Sequence, residues 1–178
     1  MKCLSLWQPW ATPVVLGNKR NETRSWATSH RGWILIHAAK RRVWSEIEGY
    51  AQRKSWRAAC GVRPQDDFHA ALPFGAIIGA AKLAECIPTG LYAPAPLGRV
   101  QVMDGPTEYP GYSWTERQLG DYTPGRFAWV FSEAVAFHEP VPYRGMQGLF
   151  YTPFDLFVEG SVAWCAVGKP KPEGTTDG

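Results

Sequence analysis

The chain has 178 residues, of which 45% are hydrophobic and nine are Trp, a composition that excludes a disordered protein and suffices for the core of one domain. No apolar run reaches the roughly 18 residues of a membrane-spanning helix, and residues 1–10 lack a signal-peptide pattern, so we expect a soluble, cytoplasmic protein. The net charge of +3 divides unevenly, since residues 19–63 carry +8 and the remainder −5. Such a basic segment is typical of phosphate binding, although a solvated basic surface has the same composition.

Cysteine and histidine are dispersed along the chain. The four Cys include no C-x-x-C pair, and the four His are not grouped with them at metal-ligand spacing. We therefore expect neither a disulfide framework nor a metal centre, and nothing in the sequence calls for a cofactor.

In chain order, the N-terminal part of the sequence predicts three short strands and one helix. Residues 4–7, 22–26 and 33–39 have the alternating or β-branched character of strands. A short helix is expected between Pro9 and Gly17, because Pro suits a first helical turn and Gly suits the position just past a helix end.

Residues 40–60 are predicted to form one basic helix, because Val43, Ile47 and Tyr50 recur at helical spacing and Gly61 follows the segment. Residues 75–87 are apolar almost throughout. Their length and the flanking prolines favour a buried strand, although the alanines leave a helix open.

The C-terminal half begins with a different composition. Residues 88–125 are rich in Pro, Gly and Tyr and predict a long functional loop, interrupted by one helical turn at 115–119. A strand at 126–131 follows, then an edge element at 134–137 and 140–143, and residues 149–157, which could close the sheet. We expect a single α+β domain over residues 1–167 with 88–125 as an insertion, a sheet curled into a small barrel, and a disordered tail at 168–178.

Three segments together resemble the ASCH domain, a family placed with the PUA-like RNA-binding barrels. They are LSLWQPWA at 4–11, GNKRNETRSW at 17–26 and RGWILIHAA at 31–39. The segments GRFAWV at 125–130 and PYRGMQGLF at 142–150 are similar to the C-terminal part of longer bacterial and phage members. The resemblance covers most of residues 3–150 and implies a small PUA-like β-barrel with flanking helices, with a cleft where Lys19, Glu22 and Arg24 meet a ligand.

The resemblance also implies several activities. Family members are taken to bind RNA or modified nucleobases, some small bacterial relatives are amidohydrolases of N4-acylated cytidines, and others are described as ribonucleases. Those amidohydrolases use Lys-x-x-Thr followed by a distant Glu, and here Glu22 occupies the Thr position. The candidate catalytic residues are Lys19, Glu22 and a second acid, for which Glu85 and Glu116 both remain open.

The spacing of the cluster suggests how it would meet a base. Glu22 and Arg24 project from the same face of a strand, and Lys19 lies at the turn into it. Glu22 would accept from an exocyclic amine and Arg24 would hold a phosphate or carbonyl, while Trp10, Trp26 or Trp33 would stack on the base. The alternative is a salt-bridge ladder that only orders the turn.

Catalysis asks more of the same residues. A lysine that acts as base or nucleophile has to lose its proton, which Arg20 and Arg24 favour and Glu22 opposes. Farther along the chain, Arg144 with its neighbours Tyr143 and Gln147 would either line the cleft or simply close the barrel.

Three hypotheses follow. The first is a module that binds RNA or a modified nucleoside through the Lys–Glu–Arg cleft, with the basic helix 40–60 as a flank. The second is a metal-independent hydrolase of an N4-acylated cytosine, or less favoured a ribonuclease, so enzyme activity stays uncertain. The third is a protein-interaction domain that uses the Tyr-rich loop 88–125. The sequence does not indicate an oligomeric state.

Overall fold

The computed structural model describes residues 1–41, 44–89, 114–159 and 162–167. The strands in this part of the chain are β1 (Lys2–Leu6), β2 (Asn21–Arg24), β3 (Gly32–Ala38), β4 (Ala76–Pro88), β5 (Phe127–Pro142), β6 (Leu149–Tyr151), β7 (Phe154–Glu159) and β8 (Val162–Val167). The helices are α1 (Ala11–Val15), α2 (Trp44–Ala51), α3 (Lys54–Ala59), α4 (Phe68–Ala71) and α5 (Trp114–Gln118).

Six strands form one mixed sheet in the order β2-β5-β4-β3-β1-β6, while β7 and β8 pair as a separate antiparallel ribbon. Among the strands described here in the large sheet, β1 and β3 are the only parallel pair. The sheet curves into a half-barrel with short helices beside it. The predicted α+β class with a small barrel is therefore confirmed.

The sheet is buried on both faces, because successive side chains along a strand point alternately into two hydrophobic clusters. On β3, Ile34 and Ile36 join α1 and Trp129 in the first cluster, whereas Leu35 points into the second. The second cluster takes Ala163 and Cys165 from β8, so the ribbon covers one face of the sheet.

Residues 40–60 do not form the single helix that their periodicity predicts. Helix α2 ends at Ala51, and Arg53 adopts an extended conformation (φ −89°, ψ 119°) before α3 begins at Lys54. The break has a packing reason, since Tyr50 and Trp56 both contact Trp10. Six residues apart on one straight helix, these two side chains would point about 120° away from each other.

Strand β5 also differs from the prediction, because one continuous strand, Phe127–Pro142, takes in nearly all of the segments expected separately at 126–131, 134–137 and 140–143. Its first part is central, between β2 and β4, and only residues 127–130 pair with β2. Beyond residue 130, β2 no longer pairs with β5. Pro140 and Pro142 fit in this part of the strand because they need not donate a hydrogen bond to β2.

The closing strand expected at 149–157 is wrong as a single element. Residues 149–151 form β6 against β1, whereas β7 pairs with β8 instead. Pro153 separates the two and cannot donate to a ladder. The strand at 75–87 is confirmed as β4 and the helical turn at 115–119 as α5, while 90–113 and the tail 168–178 lie outside the described residues.

Candidate ligand-binding site

A buried lysine anchors the predicted cluster. Gly17 adopts a left-handed conformation (φ +73°) just after α1, and the backbone N–H of Lys19 returns to the carbonyl of Pro13 at 3.0 Å. The side chain of Lys19 is 0% exposed, and its Nζ lies 3.0 Å from Oε2 of Glu22 and donates to the carbonyl of Asn21. The sequence placed Lys19 at the entrance to β2, and the structure turns its ammonium inward, away from solvent.

Glu22 and Arg24 follow on β2 as predicted. Nε of Arg24 lies 3.2 Å from Oε1 of Glu22, an ion-pair contact without hydrogen-bond alignment. Nη2 of Arg24 donates to the carbonyl of Ser5 at 2.9 Å. Glu22 is therefore held from behind by Lys19, while its Oε1 accepts no aligned hydrogen bond from the described residues.

Of the two acids left open, the structure brings Glu116 to the cluster. Its buried carboxylate accepts the backbone N–H groups of Arg20 and Asn21, each at 2.9 Å, and the hydroxyl of Tyr122 at 3.3 Å. Glu116 thus fixes the main chain that leads into β2. Glu85 is exposed on β4 and lies elsewhere.

Glu22 and Arg24 line a cavity of about 420 Å³, here called the aromatic pocket. One wall is Trp10, Tyr50 and Trp56, whose rings pack edge to face or tilted with centroids 4.7–5.8 Å apart. Gln8 fixes the chain beside Trp10, because its side-chain oxygen accepts from the N–H of Thr12 in α1 and its amide nitrogen donates to the carbonyl of Pro73.

The opposite wall of the aromatic pocket is polar and carries two ion pairs. Glu22 and Arg24 form one, and Arg126 with Asp121 forms the other, with 3.3 Å between Nε and Oδ2. Hydrogen bonds to Thr123 hold the pKa of Asp121 below its usual value. Each arginine in this pocket is therefore matched by a carboxylate.

A second and wider cavity, here called the basic cleft, has a volume of about 1450 Å³. Predicted residues Trp26 and Arg144 line it, together with Lys40 and residues 143–148. Ser5, Trp7 and Arg24 border both cavities. The two cavities therefore share these three residues and are adjacent.

His37 lies beside Ser5 at the edge of the basic cleft. Its Nε2 is 3.0 Å from the carbonyl oxygen of Tyr143, which can only accept, so Nε2 carries the proton and Nδ1 accepts from the hydroxyl of Ser5 at 3.1 Å. Burial lowers the pKa of His37, which keeps the ring neutral. A Cβ at Gly145 would lie 2.4 Å from Cε1 of His37, so only glycine allows the loop 143–148 to pack this closely.

The structure does not bring Trp33 to either cavity. It follows Gly32 on β3 and packs with Leu35 in the second hydrophobic cluster. Trp26 packs edge to face on Trp129 at 4.6 Å and reaches the basic cleft, and Trp10 lies in the aromatic pocket.

Sequence reasoning missed Trp7 at the junction of the cavities and Tyr50, Asp121 and Arg126 in the aromatic pocket. Trp7 is 44% exposed, with the guanidinium of Arg41 4.8 Å above its ring. Its position in the segment LSLWQPWA at 4–11 was a usable signal. Asp121 and Arg126, in contrast, reach the pocket through long-range folding that no local pattern reveals.

Within the described residues, no group of three or more His, Cys, Asp or Glu could hold a metal ion. Burial raises the pKa of Cys3 and Cys60 to about 12, so both thiols stay protonated. None of the helices described is long and apolar enough to cross a membrane.

Comparison with known proteins agrees with this architecture. The chain is 38% identical over 86 residues to activating signal cointegrator 1 of Mus musculus, and 38% identical over 87 residues to the protein of the same name from Homo sapiens. Each match covers 48% of this chain and only 14% of the relative. The ASCH domain model matches residues 4–137, three quarters of the sequence, and the chain therefore belongs to the ASCH domain family.

Proposed function

We propose that this chain binds RNA or a modified nucleotide by taking one base into the aromatic pocket. The observation that carries the proposal is Oε1 of Glu22, a carboxylate oxygen at the pocket wall with unused acceptor capacity beside the donors of Arg24. An acceptor next to a donor suits a base edge that has an amine beside a carbonyl or ring nitrogen.

The aromatic wall supports the same proposal. Stacking of a base on an aromatic side chain contributes about 1–3 kcal/mol and tolerates any base identity, so Trp10 and Tyr50 would supply affinity and Glu22 selectivity. Lys19 does not line the pocket and supports Glu22 from behind. Glu116 likewise acts through the backbone of Arg20 and Asn21.

The test is a titration of tryptophan fluorescence with cytidine and with the other three nucleosides. We expect Glu22→Gln to weaken binding of amine-bearing bases about 10-fold or more. The amide of Gln keeps one uncharged acceptor oxygen and replaces the other oxygen with an NH2 group, which donates. Glu85→Gln, the same change at an exposed acid, is the control. Unchanged binding in Glu22→Gln would refute this use of the pocket.

The amidohydrolase hypothesis has less support. A nucleophilic lysine needs access to substrate, whereas Nζ of Lys19 is enclosed and donates to Glu22 and Asn21. Incubation with N4-acetylcytidine decides the matter. The amidohydrolase hypothesis would be supported if the wild type releases cytidine and Lys19→Met does not, provided that circular dichroism shows the variant to be folded.

A further inference from the structure

The two cavities differ in charge balance. In the aromatic pocket, Arg24 and Arg126 each have a carboxylate within 3.3 Å. Among the described residues, the charged ones that line the basic cleft are Arg24, Lys40 and Arg144, and no Asp or Glu is among them. Arg24 already has a partner in Glu22, so Lys40 and Arg144 set the charge of the cleft. Within the described residues, neither Lys40 nor Arg144 has an ion-pair partner. A cavity lined by cations without carboxylates attracts anions.

The backbone under these cations is well fixed. Gly75 (φ +67°) donates to the carbonyl of Ala38, and a Cβ at Gly75 would lie 3.5 Å from Cβ of Lys40. His37 in turn donates to the carbonyl of Tyr143, the residue before Arg144. The two cations are thus carried by main chain tied to the same sheet.

The cleft is continuous with the aromatic pocket and offers aromatic surface of its own. Arg24 borders both cavities, as does the exposed ring of Trp7, and Trp26 lines the cleft beside them. Cationic grooves interleaved with aromatic rings are the arrangement with which proteins follow single-stranded nucleic acids. Arg144 and residues 145–148 line this part of the cleft and lie beyond the family match at 4–137.

We propose that Lys40 and Arg144 form a phosphate subsite, so that the ligand is a single-stranded nucleic acid whose base enters the aromatic pocket while its backbone crosses the basic cleft. This inference rests on the proposed function and narrows it, because it ranks an oligonucleotide above a free base or nucleoside. Arg24 then serves both cavities, with Glu22 on one side and the phosphate chain on the other.

The experiment measures anisotropy of a fluorescein-labelled single-stranded RNA of about eight nucleotides, and of a DNA of equal length, over a salt series. Lys40→Met and Arg144→Met are each expected to weaken binding and to lower the slope of log Kobs against log[salt] by about 0.7. Lys54→Met is the control, since Lys54 is an exposed lysine that lines neither cavity and its removal changes the net charge equally.

Cytidine binding separates this inference from the proposed function. We expect Lys40→Met and Arg144→Met to bind cytidine like the wild type, while Glu22→Gln does not. If both cleft variants match Lys54→Met in affinity and salt slope for RNA and DNA, the phosphate subsite is overturned, whereas the binding of a base in the aromatic pocket is not affected. If the cleft variants lose affinity for RNA and Glu22→Gln binds cytidine like the wild type, the phosphate subsite is supported and the role of the aromatic pocket is refuted. Failure of the wild type to bind either oligonucleotide overturns the inference.

Discussion

Glu22 lies between two cations with different tasks. Lys19 is enclosed behind it and Arg24 is partly exposed in front of it, with 0% and 26% of their side chains accessible. A buried carboxylate is stable only while its partners remain, because burial without them costs several kcal/mol. Lys19 therefore supports the fold and the orientation of Glu22 together.

We expect Lys19→Met to lower the free energy of unfolding by about 1–3 kcal/mol, because Glu22 and the carbonyl of Asn21 both lose a buried donor. Urea denaturation measures the change. Lys54→Met removes an exposed lysine and should stay within about 0.5 kcal/mol of the wild type. Equal effects of the two substitutions would contradict the supporting role of Lys19.

Glu116 offers a second prediction at the level of one residue. In Glu116→Gln, one of the two backbone N–H groups of Arg20 and Asn21 faces an amide that can donate, so one buried bond is lost. We expect a loss of about 1–3 kcal/mol in urea denaturation and weaker nucleoside binding. Glu85→Gln should alter neither quantity, and a response at both acids would show that Glu116 has no special role.

How far the sequence predicts the site depends on whether a contact is local. The i, i+2 spacing of Glu22 and Arg24 sets them on one strand face, and β2 keeps that arrangement. Trp33 shows where such prediction ends. The alternation of side chains along β3 places Trp33 and Ile34 on opposite faces of the sheet, but it does not indicate which face meets a ligand. Asp121 reaches the pocket from a distant part of the chain, which periodicity cannot indicate.

Among the elements, strands were predicted better than helix boundaries. Strand β4 is apolar and bounded by prolines, so its assignment depends on local composition. No Gly or Pro lies between Tyr50 and Trp56 to mark the break between α2 and α3. The break arises because both side chains pack on Trp10, a residue forty positions earlier than Tyr50. Tertiary packing overrides helix periodicity there.

Two glycines test packing between elements. A Cβ at Gly79 on β4 would lie 2.3 Å from the carbonyl oxygen of Val135 on β5 and 2.7 Å from Cγ1 of Val15 on α1. We expect Gly79→Ala to destabilise the protein by about 1–3 kcal/mol in thermal or urea unfolding, because backbone has to move.

Gly49 on α2 is the matched control. Apart from the neighbouring residues and backbone of α2 itself, no described atom lies within 4 Å of a Cβ at this position, and its backbone is helical. Gly49→Ala should therefore be neutral or stabilise by up to about 1 kcal/mol. A stable Gly79→Ala protein would mean that β4, β5 and α1 pack less tightly than the distances indicate.

For the whole molecule, buried His37 and partly exposed His30 set the response to mild acid. Burial lowers the pKa of His37 and of His30 from the ordinary 6.5, so the unfolded chain binds more protons than the folded one as pH falls below that value. Stability contributed by the neutral rings is complete above about pH 6.5 and is lost progressively toward lower pH.

We therefore expect the melting temperature to fall between about pH 7 and pH 5, and the slope of this fall to be smaller in His37→Asn whatever the absolute stability of that variant. Glu48, Asp67 and Asp121, whose pKa values are lowered by hydrogen bonds, add a separate loss that begins only below their ordinary values near 4. An identical slope in the wild type and His37→Asn would exclude His37 as a source.

Arg24 has a thermodynamic consequence because one guanidinium borders both cavities. Whatever fills one cavity alters the field and the side-chain freedom that the second occupant meets, so the two binding events are linked. Linkage is reciprocal: the factor by which a base in the pocket changes the affinity of a phosphate in the cleft equals the factor in the opposite order. A double-mutant cycle between Glu22 and Lys40 would measure that coupling energy, and removing Arg24 should bring it toward zero.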